Sequence, residues 1–191
     1  GQFYISRPGS TGRTVPPVTD IKIVDNKGES VQAGVSGEIL IKSPANFMGY
    51  WNNSEASAEA LVDGWFHSGD MGYLDEDGFL FVVDRIKDII IRGGENISCV
   101  EVESAIYTYD GIKETSVFGL PDARLGEVVA TVVYLTDNRL LDQEDLRSHV
   151  SNLLAPFKIP KYIFQRDTQL PRTGSQKIAR RELRTEYEKF I

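Results

Sequence analysis

Four short segments hold residue types that could do chemistry on a small molecule. In Trp65-Phe66-His67-Ser68-Gly69-Asp70 a carboxylate follows a glycine at a strand end. Such a carboxylate can accept two hydrogen bonds from a vicinal diol, the way an acidic residue at a strand terminus holds ribose. Taken alone, a turn aspartate bonding its own backbone accounts for it equally well. Asp84-Arg85-Ile86-Lys87-Asp88 alternates charge beside a strand. In isolation this is solvated decoration; the functional reading sets Arg85 against a sugar or phosphate and makes the rest a hinge. Arg92-Gly93-Gly94-Glu95-Asn96 places two glycines between a strand and a helix. Glycines there permit positive φ and close backbone approach to a ligand. The lysine and Ser/Thr of a phosphate loop are absent, so a plain strand-to-helix turn is the default. Finally, Leu170-Pro171-Arg172-Thr173-Gly174-Ser175-Gln176-Lys177 presents a lysine on a polar loop. An ammonium is a compact point charge suited to carboxylate and phosphate oxygens. A surface lysine at a helix start is the alternative, weakened because cations are disfavoured at helix N-termini.

These segments need elements to position them. Asp20–Val24 and Gly37–Lys42 alternate apolar and polar residues around the turn Asp25-Asn26-Lys27-Gly28 and read as strands. Residues 54–61 read as a short helix with a serine cap. Trp65–Ser68 and Phe79–Val83 read as short strands flanking the turn Asp75-Glu76-Asp77-Gly78. From residue 88 the texture changes. A strand Asp88–Arg92 leads to Gly93-Gly94, and Ser98 and Glu101 have the spacing of a capping box at the head of a helix. Strands Glu114–Gly119 and Val128–Leu135 follow, then a helix from Asp142, a strand at Tyr162–Phe164, and a last helix with Ala179, Leu183, Tyr187 and Phe190 on one face. The fold class is therefore α+β: a β-rich first part, then a small sheet flanked by helices. The boundary falls near residue 86, giving domains of 1–86 and 87–191.

Composition bounds the function. The 191 residues are 41% hydrophobic and 26% charged, the profile of a soluble globular protein. No apolar run reaches the roughly 18 residues of a membrane span, and no basic-then-apolar leader opens the chain. A single cysteine, Cys99, excludes an internal disulfide and a cysteine-rich zinc site, and two distant histidines, His67 and His149, argue against a histidine-rich metal site. The net charge of −7 speaks against nucleic acid as a partner. The charge is uneven: residues 158–191 carry a balance of +5 and residues 1–157 one of −12. A basic tail on an acidic body suits a phosphate-bearing ligand. His67 receives no catalytic role, Cys99 reads as a packed structural thiol, and Tyr50 and Trp51 read as packing residues. The abrupt apolar start at Gly1-Gln2-Phe3-Tyr4-Ile5 suggests a fragment of a longer protein.

In this order the segments are more than the sum of weak signals. Gly37-Glu38 with Gly49-Tyr50, then Gly64 to Asp70, Asp84 to Asp88, Gly93-Gly94-Glu95-Asn96-Ile97 with Glu101-Val102-Glu103, and Leu170-Pro171-Arg172-Thr173 with Lys177 resemble the adenylate-forming (AMP-binding) enzyme superfamily. The resemblance covers essentially the whole chain and matches the C-terminal portion of an acyl-CoA synthetase. It implies that residues 1–86 end the large ATP- and acyl-binding domain as its β-barrel-like subdomain, and that residues 87–191 form the small mobile domain. It implies ATP and coenzyme A as cosubstrates and a small carboxylic acid as substrate. Magnesium contacts, the phosphate loop and the acyl pocket would lie in a missing N-terminal part, which becomes a partner of this chain. Asp70 would bind both ribose hydroxyls, and Arg85 the ribose or phosphate side. Lys87 would be the hinge, Gly93 and Gly94 would line the coenzyme A tunnel, and Lys177 would be the catalytic lysine of adenylation. No metal ligand is assigned within the chain. Two positions depart from the common pattern: Gln176 stands where glycine usually precedes the lysine, and Lys87 where many members have Asp. The Gly-Gly-Glu-Asn-Ile turn resembles that of CoA ligases more than that of peptide-synthetase domains, and a luciferase-like branch would need an unusual acyl pocket outside this chain. A non-catalytic module that retained the fold is the rival from another class. The cofactors and composition imply a cytoplasmic location.

Overall fold

The computed structural model describes residues 5–136 and 139–191. The chain divides into two compact units, Gly1–Lys87 and Asp88–Ile191.

The first unit is built on a six-stranded antiparallel sheet. Its strands are β1 (Gly12–Arg13), β2 (Asp20–Val24), β3 (Gly37–Lys42), β4 (Leu61–Val62), β5 (Trp65–Leu74) and β6 (Phe79–Arg85). They run in the order β1-β6-β5-β3-β2, with β4 paired to β5. Alternation seals one face: Ile23, Ile39 and Phe79 are almost wholly buried. The expected strands Trp65–Ser68 and Phe79–Val83 are longer than the sequence suggested, so that Asp70 lies inside β5 rather than at its end. The short helix α1 (Ser54–Ala60) is present, but its cap is one residue earlier than expected. Asn53 Oδ1 accepts from the Ala56 amide at 3.0 Å, and Ser54 is the first helical residue. Tyr50 and Trp51 do not pack into the core: Trp51 is 98% exposed and Tyr50 50%. The chain turns sharply there, with Asn52 at φ 51°, and the rings are carried outward.

The second unit is the α+β body that the sequence implied. Its sheet holds β7 (Ile90–Arg92), β8 (Glu95–Ile97), β9 (Ile112–Asp122), β10 (Gly126–Leu135) and β11 (Tyr162–Arg166). The β9–β10 hairpin is the spine, and β11 lies parallel to β10, the one parallel pair described. Helices α2 (Cys99–Tyr107) and α3 (Gln143–Ser151) cover one face, and α4 (Arg180–Tyr187) covers the other. Both faces of β9 and β10 are therefore buried, which is why β10 reads as a nearly continuous apolar run, whereas β9 also buries the polar Glu114, Thr115 and Ser116. Val117, Val129 and Val133 point to α2 and α3, while Phe118, Leu120, Ala130 and Val132 point to α4. Ser98 caps α2 as the spacing required, accepting from the Glu101 amide at 3.2 Å. The Glu101 carboxylate is taken by Lys158 at 2.6 Å. Of the expected face of α4, Leu183 and Tyr187 are buried beside Ala179, but Phe190 is 71% exposed.

Two local readings are corrected. The proposed strand Asp88–Arg92 is shortened, because Ile86–Asp88 forms a 3-10 turn and the strand starts at Ile90. Gly93-Gly94 then makes the tip of the β7–β8 hairpin, not a strand-to-helix turn. Positive φ at both glycines, 59° and 90°, closes that two-residue turn, which fits the type I′ geometry of tight hairpins.

Candidate functional site

Asp70 and Arg85 face each other across the β5–β6 ladder. The Asp70 carboxylate accepts from Arg85 Nε at 2.9 Å, with the aspartate side chain 31% exposed and the arginine 68%. The backbone explains why this aspartate is presented. Gly69 adopts φ +69°, a conformation that a side chain disfavours, and the ladder slips between Met71 and Gly72. A bulge of this kind re-aims the residue beside it. Ser68 then fixes the turn: its hydroxyl donates to the Ile39 carbonyl at 2.7 Å and accepts from the Asp70 amide at 3.0 Å. Gly72 cannot carry a side chain, because a Cβ there would lie 2.4 Å from the Phe81 carbonyl oxygen.

Glu38 is the residue here to which sequence reasoning gave no role. One carboxylate oxygen lies 3.3 Å from the Gly69 amide, which donates to it, and the other is 3.1 Å from His67 Nδ1. Glu38 thus braces the Ser68-Gly69-Asp70 bend from the neighbouring strand. The signal was the Gly37-Glu38 pair. Gly37 packs so closely on β2 that an added Cβ would sit 2.2 Å from the Val24 carbonyl oxygen, which seats Glu38 against β5.

Lys87 ends the first unit in the 3-10 turn, with its side chain exposed. The residue after it is tied to the second unit. The Asp88 carboxylate takes Arg180 Nη1 at 2.7 Å, and its carbonyl accepts the Cys99 thiol at 2.8 Å. Cys99 is fully buried, the packed thiol that was expected. Arg180 also binds Glu103 at 2.9 Å, and Glu103 in turn accepts from the Val117 amide at 2.8 Å.

Gly93 and Gly94 are exposed at their hairpin tip. Gly93 donates its amide to the Leu125 carbonyl at 2.8 Å, which joins the tip to the β9–β10 turn.

Lys177 lies on a tight loop before α4. Its carbonyl accepts from the Thr173 amide at 2.8 Å, Arg172 and Ile178 form a bridge pair, and the Ala179 amide donates to Pro171 at 2.7 Å. The side chain is exposed and makes no ion pair among the described residues. Its neighbours in the basic tail differ. Lys158, Lys161, Arg166, Arg172, Arg180 and Arg184 are each paired with a carboxylate. The tail's +5 balance is thus mostly neutralised locally, and Lys177, with Arg181 and Lys189, is what remains to meet an external anion.

The first unit therefore brings Asp70 and Arg85 together, and the second presents Lys177 and the Gly93-Gly94 tip. Among the described residues no group of three or more His, Cys, Asp or Glu could hold a metal ion, and no helix is long and apolar enough to cross a membrane.

Comparison with known proteins puts these positions in a family. Residues 101–177 match the AMP-binding enzyme C-terminal domain, and residues 3–51 match the AMP-binding enzyme model. A feruloyl-CoA synthase of Amycolatopsis is 45% identical over 88% of this chain and 34% of its own length. A long-chain-fatty-acid–CoA ligase of Bacillus subtilis is 43% identical over 93% of the chain and 32% of its own length. Among solved structures, an o-succinylbenzoate CoA synthetase of Bacillus subtilis in complex with its acyl-adenylate intermediate superposes with a TM-score of 0.87. It is 35% identical and covers 95% of this chain and 37% of its own; the same enzyme has been solved with ATP and magnesium. The chain spans about a third of the length of the curated relatives it matches. Sequence motifs, α+β architecture and these likenesses agree: the chain belongs to the AMP-binding enzyme family and corresponds to the C-terminal portion of its acyl-CoA ligases.

Proposed function

We propose that the chain serves as the C-terminal portion of an ATP-dependent acid–CoA ligase, acting with a preceding part that supplies the rest of the ATP site and the acyl pocket. In the first step a carboxylate oxygen of the acid attacks the α-phosphorus of ATP, and the bond to pyrophosphate breaks. In the second, the coenzyme A thiol loses its proton, its sulfur attacks the acyl carbon, and AMP leaves. A cytoplasmic location suits the use of ATP and coenzyme A.

The roles follow the chemistry of the side chains. Asp70 accepts the two ribose hydroxyls, for which a carboxylate has acceptor sites beyond the one occupied by Arg85. Arg85 stands beside the ribose and phosphate side of the nucleotide. Lys177 brings its ammonium between the acid and the α-phosphate, holding two anions together as charge builds in the transition state. Lys87 is the pivot about which the second unit turns between the steps, and the Gly93-Gly94 tip lines the path of the thiol in the second. Magnesium would neutralise the ATP phosphates, with ligands from the preceding part.

The observation that carries this reading is the exposed Lys177 ammonium on a hydrogen-bonded loop, within a basic tail whose other cations are largely paired. The test is carboxylate-dependent ATP–pyrophosphate exchange by the full-length enzyme, with aromatic, long-chain and dicarboxylic acids offered. Exchange with at least one acid, followed by AMP release on adding coenzyme A, is the expected result. A folded enzyme that binds ATP but exchanges pyrophosphate with none of them would contradict the proposal.

A further inference from the structure

The loop that carries Lys177 is anchored from the sheet by a carboxylate that lies 56 and 58 residues from its two loop partners. Glu114, near the start of β9, is only 7% exposed. It spends both oxygens on the loop: one accepts from the Leu170 amide at 2.7 Å, the other from Arg172 Nη2. Arg172 is a bridge, because its Nη1 donates to the Gln176 carbonyl at 2.8 Å. That carbonyl belongs to the peptide joining Gln176 to Lys177.

Three features give this bridge a purpose. Gln176 adopts φ +64°, in the left-handed region that a non-glycine residue disfavours, so the bend before Lys177 needs support from outside the loop. A guanidinium is planar and presents its donors at fixed angles from two separate nitrogens, so it can hold a carboxylate on one side and a carbonyl on the other, whereas an ammonium offers all its donors from a single nitrogen. The Lys177 side chain is itself exposed, so the position of its ammonium depends on where the backbone is held. Misplacing a catalytic group by about 1 Å can cost on the order of a hundredfold in rate.

Resting on the role proposed above for Lys177, we propose that Glu114 and Arg172 form a clamp that positions the Lys177 loop for adenylation. Neither touches substrate; both act through the lysine.

The test uses the full-length enzyme with Arg172→Ala, Arg172→Lys, Glu114→Gln, Lys177→Ala and the double variant Arg172→Ala/Lys177→Ala. Arg172→Ala should lower the kcat of pyrophosphate exchange roughly tenfold to a hundredfold, with KM for ATP little changed. Thioester formation from supplied acyl-adenylate should stay within about twofold. Arg172→Lys should not rescue exchange, and Glu114→Gln should fall between wild type and Arg172→Ala. Adding Arg172→Ala to Lys177→Ala should cause no further loss, since the residue has nothing left to position. Unchanged exchange in Arg172→Ala, equal loss in both half-reactions, or a full additional loss in the Lys177→Ala background would each overturn the clamp. If Lys177→Ala itself spares exchange, it is the role of Lys177 that fails.

Amide hydrogen exchange on the present chain reads the clamp without any activity. Arg172→Ala should speed exchange at Thr173 and Gln176, whose amides close the loop, and leave the α2 amides protected as in wild type. Unchanged protection of Thr173 and Gln176 would overturn the clamp whatever the kinetics show.

Discussion

Gln176 shows how much a single backbone angle governs at the lysine loop. Its φ of +64° is the conformation that glycine adopts without strain. The family resemblance implied glycine at this position, and the structure gives the physical reason why glycine would suit it. Left-handed backbone costs a non-glycine residue about 1–2 kcal/mol, while glycine returns about 0.4–1 kcal/mol of that through the unfolded chain. Gln176→Gly should therefore leave stability unchanged or raise it by up to about 1.6 kcal/mol. Gln176→Val, with a branched Cβ, should lower it by about 1–3 kcal/mol. Urea denaturation of the chain distinguishes the two, and a Val variant as stable as wild type would refute the strain. The same logic applies at Gly69, whose φ of +69° bends β5 and presents Asp70 toward Arg85.

Elements show where sequence reading succeeds and where it stops. The start of α2 was legible because Ser98 and Glu101 are local partners, three residues apart. Strands β9 and β10 were legible, though not their pairing, because β10 is buried on both faces and correspondingly apolar and β9 carries the apolar Val117-Phe118. What stayed hidden is held by distant residues. Nothing near Asp70 in sequence announces Glu38, and nothing near Lys177 announces Glu114; their contacts span 31 and 58 residues. The β7–β8 hairpin was missed because β8 is the three-residue, mostly polar Glu95-Asn96-Ile97, which alternation cannot reveal. Trp51 was misjudged because ring size is a prior for burial and not a determinant of it.

The turn of the β9–β10 hairpin also sets a pH dependence. The Lys161 ammonium beside Asp122, together with the Arg124 and Leu125 amides, pulls its carboxyl down from 3.8 to about 2. A carboxyl lowered in the folded state stabilises that state above the unfolded value of 3.8, and the contribution is lost as pH falls from there toward 2. Asp122→Asn should thus be less stable than wild type at neutral pH. The difference should shrink across that acid window and vanish below it. A pH-independent difference in urea midpoints would show that the charge is not responsible. Because the pair is at the surface, the effect should also weaken with added salt.

At the scale of the whole molecule, the proposed site residues fall in both units. Asp70 and Arg85 belong to Gly1–Lys87, and Lys177 belongs to Asp88–Ile191. A two-step ligase can use such a division, because a group needed only in the first step can be withdrawn for the second by turning one unit on Lys87. On that account Lys177 serves adenylation and not thioester formation. The direct measurement is the pair of half-reactions in the full-length enzyme with Lys177→Ala. ATP–pyrophosphate exchange should fall at least about a hundredfold, the loss expected when one preorganised charge is removed from a transition state. Thioester formation from supplied acyl-adenylate and coenzyme A should remain within about threefold of wild type, since it needs no charge at that position. Equal loss in both half-reactions, or exchange that survives without the lysine, would contradict the account.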